Sequence, residues 1–218
     1  MKIAYNGRTG TLYGIWFINL ILQILTLFLY RPWAKTKIRK YIYRNIEIDG
    51  DNLEYFGSGL ELFKGFSKFI IILFILSAGI AVIALFLGVS SLDEILISIF
   101  IFLSIYYSQY LAIKYRISRI RWRGIRSGMV GSATDYMFFR VKRVFINIIT
   151  LGLFVSRSHI LNRAYIVNNV EIGTTRLRFQ GDPKVLDNIH GITWILAIPT
   201  LMLSRFWYKA ALKNYLWQ

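Results

Sequence analysis

Groups able to do covalent or metal chemistry are few in this sequence. There is no cysteine, so disulfides, thiolate metal sites and thiol nucleophiles are absent, and the two histidines, His159 and His190, do not form a ligand cluster. Each reads as an interfacial polar residue. Glu47, Asp49, Asp51 and Glu54 gather in one short stretch, but among lysines and arginines, where charge balance is their expected role. No nucleophile elbow, phosphate loop or catalytic carboxylate pair is present. The expectation is a chain without enzymatic activity, cofactor or metal.

The chemistry that is abundant is cationic and aromatic. Arg31-Pro32-Trp33-Ala34-Lys35-Thr36-Lys37-Ile38-Arg39-Lys40-Tyr41 follows an apolar run directly, and Pro32 suits the first turn of a new helix lying along a membrane interface. Arg31, Trp33, Lys35 and Arg39 there, with Arg121, Trp122, Arg123 and Arg126 further on, are candidates for binding anionic lipid headgroups, at about 1 kcal/mol per basic residue near the surface. Ordinary topology signals and interfacial anchors have the same composition. Guanidinium groups and tryptophan also suit nucleic acid, but directly beside a membrane the nearer phosphates are those of lipid, and no nucleic-acid partner is expected. A second set is polar. Asn19, Gln23 and Thr26 share one helix face, and Arg143, Asn147 and Thr150 share another. Such stripes either line a solute path or hydrogen-bond neighbouring helices, the commoner use, at roughly 0.6 kcal/mol each.

The elements that carry these residues are set by hydropathy. Of 218 residues 56% are hydrophobic and 17% aromatic, with a mean hydropathy of +0.48, more apolar surface than a water-soluble domain can hide. The 27 Lys and Arg and 11 Asp and Glu are confined to blocks between uncharged runs. Thr9 to Tyr30, Phe69 to Gly88 and Ile95 to Ile113 each reach the roughly 20 residues that cross a hydrocarbon core. Val144 to Ser156 and Asn188 to Ser204 are shorter, and either cross or enter and turn back. No cleavable signal peptide precedes the first run, because it ends in Tyr30-Arg31-Pro32-Trp33 rather than small residues. None of the uncharged runs contains an Asp or Glu, which counts against a proton-coupled transporter.

A shift of 124 positions lays Ile24, Thr26, Leu27, Leu29, Arg39, Tyr41, Ile42, Asn45, Glu47, Ile48, Leu53 and Gly57 on identical residues, from Ile148 and Thr150 to Gly181. Weaker copies at other shifts divide the single membrane domain, 1–218, into four degenerate helix-plus-β-hairpin units, 7–56, 57–130, 131–180 and 181–218. The second is longer by about one crossing and its turn, so a helical hairpin is expected there, and the fourth is expected to stop short of its strands. Ile46-Glu47-Ile48 and Leu53 to Gly57 alternate around Gly50-Asp51-Asn52 as a hairpin, and Val170-Glu171-Ile172 with Leu177-Arg178-Phe179 repeats the pattern. Because a lone hairpin is marginal in water, these strands are expected to join a small extramembrane sheet, with Ile3-Ala4-Tyr5 as a further strand.

Tyr5-Asn6-Gly7, Trp16, Asn19, Thr26-Leu27, Pro32-Trp33-Ala34-Lys35, Arg39, Tyr41, Asn45 and Asp49-Gly50, in this order, resemble the repeating pattern of the YjgN-like bacterial inner-membrane proteins. Arg119 to Arg126, followed by Gly131-Ser132-Ala133, resembles that family's basic segment. The likeness covers nearly the whole chain. It implies a multi-pass protein of the bacterial inner membrane, in a family without an assigned biochemical activity. Val155-Ser156-Arg157-Ser158 departs from the pattern of Arg31-Pro32-Trp33-Ala34.

The expected fold is therefore an α-helical integral membrane protein with three spanning helices, two short segments that span or re-enter, and a small sheet. The loop Val89 to Glu94 has no Lys or Arg, whereas Arg31 to Gly65 and Lys114 to Arg143 are rich in both, which by the positive-inside rule gives an external N-terminus. Crossing by Val144 to Ser156 would expose the basic stretch Arg157 to Lys184 outside, against that rule, and a re-entrant segment would not. The expected function is non-catalytic association with anionic lipids, with a second copy or with a membrane protein partner. The alternative is a small transporter or channel using the polar helix faces.

Overall fold

Thr9 to Leu25 forms an apolar helix, α1, that ends at a built corner rather than running on to Tyr30. The Thr26 hydroxyl donates to Leu22 O at 2.7 Å and accepts from Tyr30 N at 3.1 Å, while Phe28 N donates to Gln23 O at 2.7 Å. This bond closes the last helical turn, with Leu27 (φ 49°) and Phe28 (φ 66°) in the left-handed region that helix ends ordinarily give to glycine. The chain reverses into α2, Arg31–Arg44, which starts with Pro32 in its first turn and packs against α1. The computed structural model describes residues 2–86, 88 and 90–217, apart from the side chains of Ser90–Asp93 and Trp217.

The chain divides into two units. The first comprises residues 1–129 with 171–174. In it β1, Ile3–Tyr5, pairs antiparallel with β2, Ile46–Ile48, and β2 with β3, Asp51–Asn52, across Asp49 and Gly50, both at positive φ as a tight hairpin turn requires. The sequence pattern placed Leu53 to Gly57 in that hairpin, and Leu53 N does donate to Ile46 O at 2.9 Å, but the chain after it does not follow. Instead β4, Glu54–Tyr55, leaves it and pairs with β5, Ile120–Trp122, which turns through Arg123 and Gly124 into β6, Ile125–Met129. Between β4 and β5 run two long helices, α3 (Gly59–Phe86) and α4 (Ser90–Ser118), packed together. Stretches of each are long and apolar enough to cross a membrane, and almost none of either stretch is buried within the protein. Of the loop expected at Val89 to Glu94, Val89 lies outside the described residues, and the backbone is helical from Ser90.

The expected first crossing differs. β1 precedes α1 and β2 follows α2, yet the two strands pair, and Asn6 N donates to Asn45 O at 2.9 Å. The helix pair thus starts and ends at one place, whereas a single crossing by Thr9 to Tyr30 would separate its flanks by a hydrocarbon core of about 30 Å. Sequence hydropathy could not see this, because the reversal occurs inside an uninterrupted apolar run.

The second unit comprises residues 130–170 with 175–218. Ser132 caps α5, Ala133–Ile149, by accepting from Thr134 N at 3.1 Å, with Asp135 in the first turn. The corner after it uses Thr150, which donates to Ile146 O at 2.7 Å, and Gly152 N, which donates to Asn147 O at 2.7 Å. Then come α6, Val155–Asn168, β7, Val170–Ile172, and β8, Thr175–Arg176. A last pair, α7 (Asp187–Ile195) and α8 (Ser204–Trp217), meets at a corner where Thr200 donates to Leu196 O and Met202 N donates to Ala197 O at 2.7 Å. Both short apolar runs are therefore bent at a corner. Ile160, Leu186 and Tyr208 form the buried core of this unit.

Close approach in the first unit gives a stability test. A Cβ on Gly59 would sit 2.8 Å from the Trp33 backbone Cα and closer still to its ring. Gly59→Ala should lower the unfolding free energy by about 1–3 kcal/mol, the usual cost of overpacking, read as a fall in the melting temperature of the detergent-solubilised protein. An unchanged melting temperature would show that α2 and α3 do not pack this closely.

Candidate functional site

α2 presents the cationic residues in two ways. Trp33 is an internal contact more than a free anchor, since its ring packs on Phe63 at 5.4 Å and stacks with Tyr30 at 6.0 Å. Arg39 donates to the Tyr55 hydroxyl at 3.3 Å, and Tyr55 stacks on Tyr43. Arg31 and Lys35 are exposed on the outer face of the helix. Partial burial, then the charges of Arg31 and Arg39, hold the Lys35 ammonium below the ordinary lysine value. This is a surface short of anions.

The β5–β6 turn has a more structural use. Arg123 pairs with Asp51 at 2.5 Å, donates to Asp49 O at 3.1 Å and lies 4.8 Å from the Trp122 ring, while Trp122 Nε1 donates to Ile48 O at 3.3 Å. These two residues clamp the two sheets together. Arg121 lies 4.1 Å over the Phe56 ring, and its cross-strand partners are Arg126 on β6, a like charge, and Glu54 on β4, an opposite charge that offsets it. Beside this turn a cleft of ≈ 720 Å³ is lined by Lys40, Arg44 and Arg123 on one hand and Asp51 and Glu54 on the other. Its charge is mixed.

The two polar stripes also divide. Thr26 and Thr150 are consumed by the corners. Gln23 donates to the Asn19 carbonyl at 3.0 Å, while the Asn19 side chain, 1% exposed, has neither amide atom paired. Asn147 accepts from Ser158 Oγ at 2.8 Å, and the Arg143 guanidinium rests 5.1 Å from the Phe139 ring. Arg143 and Asn147 open on a pocket of ≈ 110 Å³ that Arg140, His159 and Asn162 also line. Sequence reasoning passed over Arg140 and took His159 as merely interfacial. The i, i+3, i+7 spacing of Arg140, Arg143 and Asn147 was the available signal. Among the described residues no group of three or more His, Asp or Glu side chains could hold a metal ion.

The sequence profile of a family described as "Bacterial protein of unknown function (DUF898)" matches residues 1–218. The chain belongs to this family. Among curated proteins it is similar to inner membrane protein YjgN of Salmonella typhimurium, at 34% identity over 61 residues, 28% of this chain and 15% of that protein. Inner membrane protein YjgN of Escherichia coli is 32% identical over 62 residues, 28% of this chain and 16% of the relative. The matched stretch thus spans about one sixth of the length of the curated relatives. No solved structure matches the chain.

The electrostatics of α2 can be tested directly. Arg31→Gln removes a neighbouring positive charge and should raise the Lys35 pKa, measured by NMR titration of reductively ¹³C-methylated lysines. An unchanged or lower value would place Arg31 too far away to matter.

Proposed function

We propose that this chain is a multi-pass inner-membrane protein that acts without catalysis. It associates with anionic lipid of the cytoplasmic leaflet through three helix hairpins of common design, and through these with a second copy or a membrane protein partner. The observation that carries the reading is the hairpin itself, apolar at its corner, basic along its flank and tied at its base.

Three features support the common design. Helix and strand limits in Thr9–Ile48 recur at the 124-residue offset in Ala133–Ile172. Thr26-Leu27-Phe28-Leu29, Thr150-Leu151-Gly152-Leu153 and Thr200-Leu201-Met202-Leu203 make the same corner. The base ties recur as well: Asn6 N to Asn45 O matches Val130 N to Asn169 O at 2.8 Å, and Tyr41 Oη to Arg8 O at 2.9 Å matches Tyr215 Oη to Asp182 O at 3.0 Å.

Lipid is the natural cover for the corners. Leu27, Leu151 and Leu201 are 85%, 74% and 86% exposed, an arrangement that water penalises and acyl chains do not. α2 bears cations from Arg31 to Arg44, so the first hairpin lies in the interface with its charges among headgroups rather than standing upright in hydrocarbon. With α3 and α4 as the crossings and the other helix pairs confined to one leaflet, every basic stretch is cytoplasmic, as the positive-inside rule requires. The N-terminus is then cytoplasmic too, in place of the external one expected from three crossings.

Native extraction into polymer-bounded nanodiscs tests the association. Phosphatidylglycerol and cardiolipin should be enriched severalfold over phosphatidylethanolamine relative to the bulk membrane, consistent with about 1 kcal/mol per basic residue. The triple change Arg31→Gln, Lys35→Gln, Arg39→Gln should reduce that enrichment. Bulk lipid ratios around the wild-type protein would overturn the reading.

A further inference from the structure

We propose that the α5–α6 hairpin binds a phosphate-bearing oxyanion, the headgroup phosphate of a lipid or free phosphate, in the pocket between Arg140, Arg143 and His159. The inference rests on the reading of the hairpins as lipid-facing and names what one of them holds.

α5 is built inside out for a helix in water. Phe138, Phe145, Ile148 and Ile149 are exposed, each more than half, while Arg140, Arg143 and Asn147 turn towards α6 and line the pocket. On a helix jacketed in apolar side chains, Arg143 on the inner face needs an acceptor there, because a guanidinium N–H shielded from water is costly unless paired. None of the residues lining the pocket is acidic. Asp187 of α7 does not line the pocket and holds Arg157 at 2.5 Å through Oδ2.

The donors are in place for an anion. Arg143 Nε is buried and has no hydrogen-bond partner, and stacking on Phe139 restrains the guanidinium that carries it. Asn147 has its amide oxygen committed to Ser158, which leaves its NH₂ to donate. His159 sits in a field of positive charge, its imidazole pushed below the ordinary histidine value by burial, then by Arg140, His190 and Arg205. Guanidinium forks match tetrahedral oxyanions in shape as well as charge. The pocket, ≈ 110 Å³, has room for about three or four water volumes, enough for one phosphate group and too little for a sugar or base with it.

The site is particular to this hairpin. At the 124-residue offset the first hairpin has Trp16, Asn19 and Lys35 in place of Arg140, Arg143 and His159, so the arginine pair is missing there. A shared fold with a changed inner face is how one copy of a repeated unit acquires a ligand of its own.

The chain in dodecyl maltoside micelles, which carry no phosphate, titrated with inorganic phosphate and followed by melting temperature, tests this. The wild type should be stabilised by phosphate, and Arg140→Gln with Arg143→Gln should bind at least about tenfold more weakly. Repeating the titration in phosphatidylglycerol discs separates the sources. A lost phosphate response there means that the headgroup already fills the site, and an undiminished response means that free phosphate is the ligand. Should the glutamine pair fail to elute as folded protein, Arg143→Lys keeps the charge but loses Nε and the fork, and is expected to bind severalfold more weakly. No stabilisation of the wild type in the phosphate-free micelles, or variants that bind as it does, would overturn the proposal. Lipid enrichment that depends on Arg31, Lys35 and Arg39 would survive that outcome, so failure of the pocket and failure of the lipid-facing reading are distinguishable.

Discussion

The bond between the start and the end of a helix pair is the constraint on which the rest depends. In the first hairpin it is the β1–β2 ladder together with Asn6 N to Asn45 O and the two bonds of the Tyr41 hydroxyl to Arg8. These are short-range polar contacts of about 1 kcal/mol each, modest as stabilisation. As geometry they are decisive, since two strands about 4.8 Å apart cannot lie on opposite sides of a bilayer. Once the base is closed, a helix that would otherwise pass for a crossing becomes one arm of a loop.

Closing the base makes a corner necessary at the far end, and the corner is strained. Leu27, Phe28, Leu151, Leu201 and Met202 hold left-handed backbone at about 1–2 kcal/mol per residue. What offsets this is local: a threonine hydroxyl that satisfies a helix carbonyl and accepts from an amide across the break, and a backbone bond of 2.7 Å that closes the last turn. Keeping leucine where glycine would be easier has a consequence for function, because it leaves a large apolar side chain at each tip. Strain in the backbone and apolar exposure at the tip are two sides of one choice.

Much of this was legible in the sequence, and the exceptions have physical causes. α3 and α4 were visible because uncharged length is what a bilayer selects, and β1, β2 and β7 because alternation and Asp49-Gly50 mark hairpins. The first reversal was hidden because Thr26-Leu27-Phe28-Leu29 contains no glycine or proline, whereas the other two corners carry ordinary turn signals, Gly152 in one and Pro199 in the other. Trp33, Trp122 and Arg123 looked like free interfacial groups, but their partners Phe63, Ile48 and Asp51 are remote in sequence. The Arg140, Arg143 and His159 pocket was missed for a similar reason, since His159 comes from the other arm of a hairpin whose register no composition reveals.

Apolar outside, basic at the flank and polar within is a pattern that suits an interface between water and lipid, in keeping with the proposed lipid association and with relatives named as inner membrane proteins. Everything in it follows from the claim that the first helix pair begins and ends together. Because the chain has no cysteine, Ala4→Cys and Asn52→Cys can be spin-labelled without background, and both flank Glu47 across the β1–β2–β3 sheet. Pulsed electron paramagnetic resonance in lipid nanodiscs should give a backbone separation of about 10 Å, two strand spacings. A separation of about 30 Å or more, the thickness of the hydrocarbon core, would mean that α1 crosses the membrane and would contradict the account.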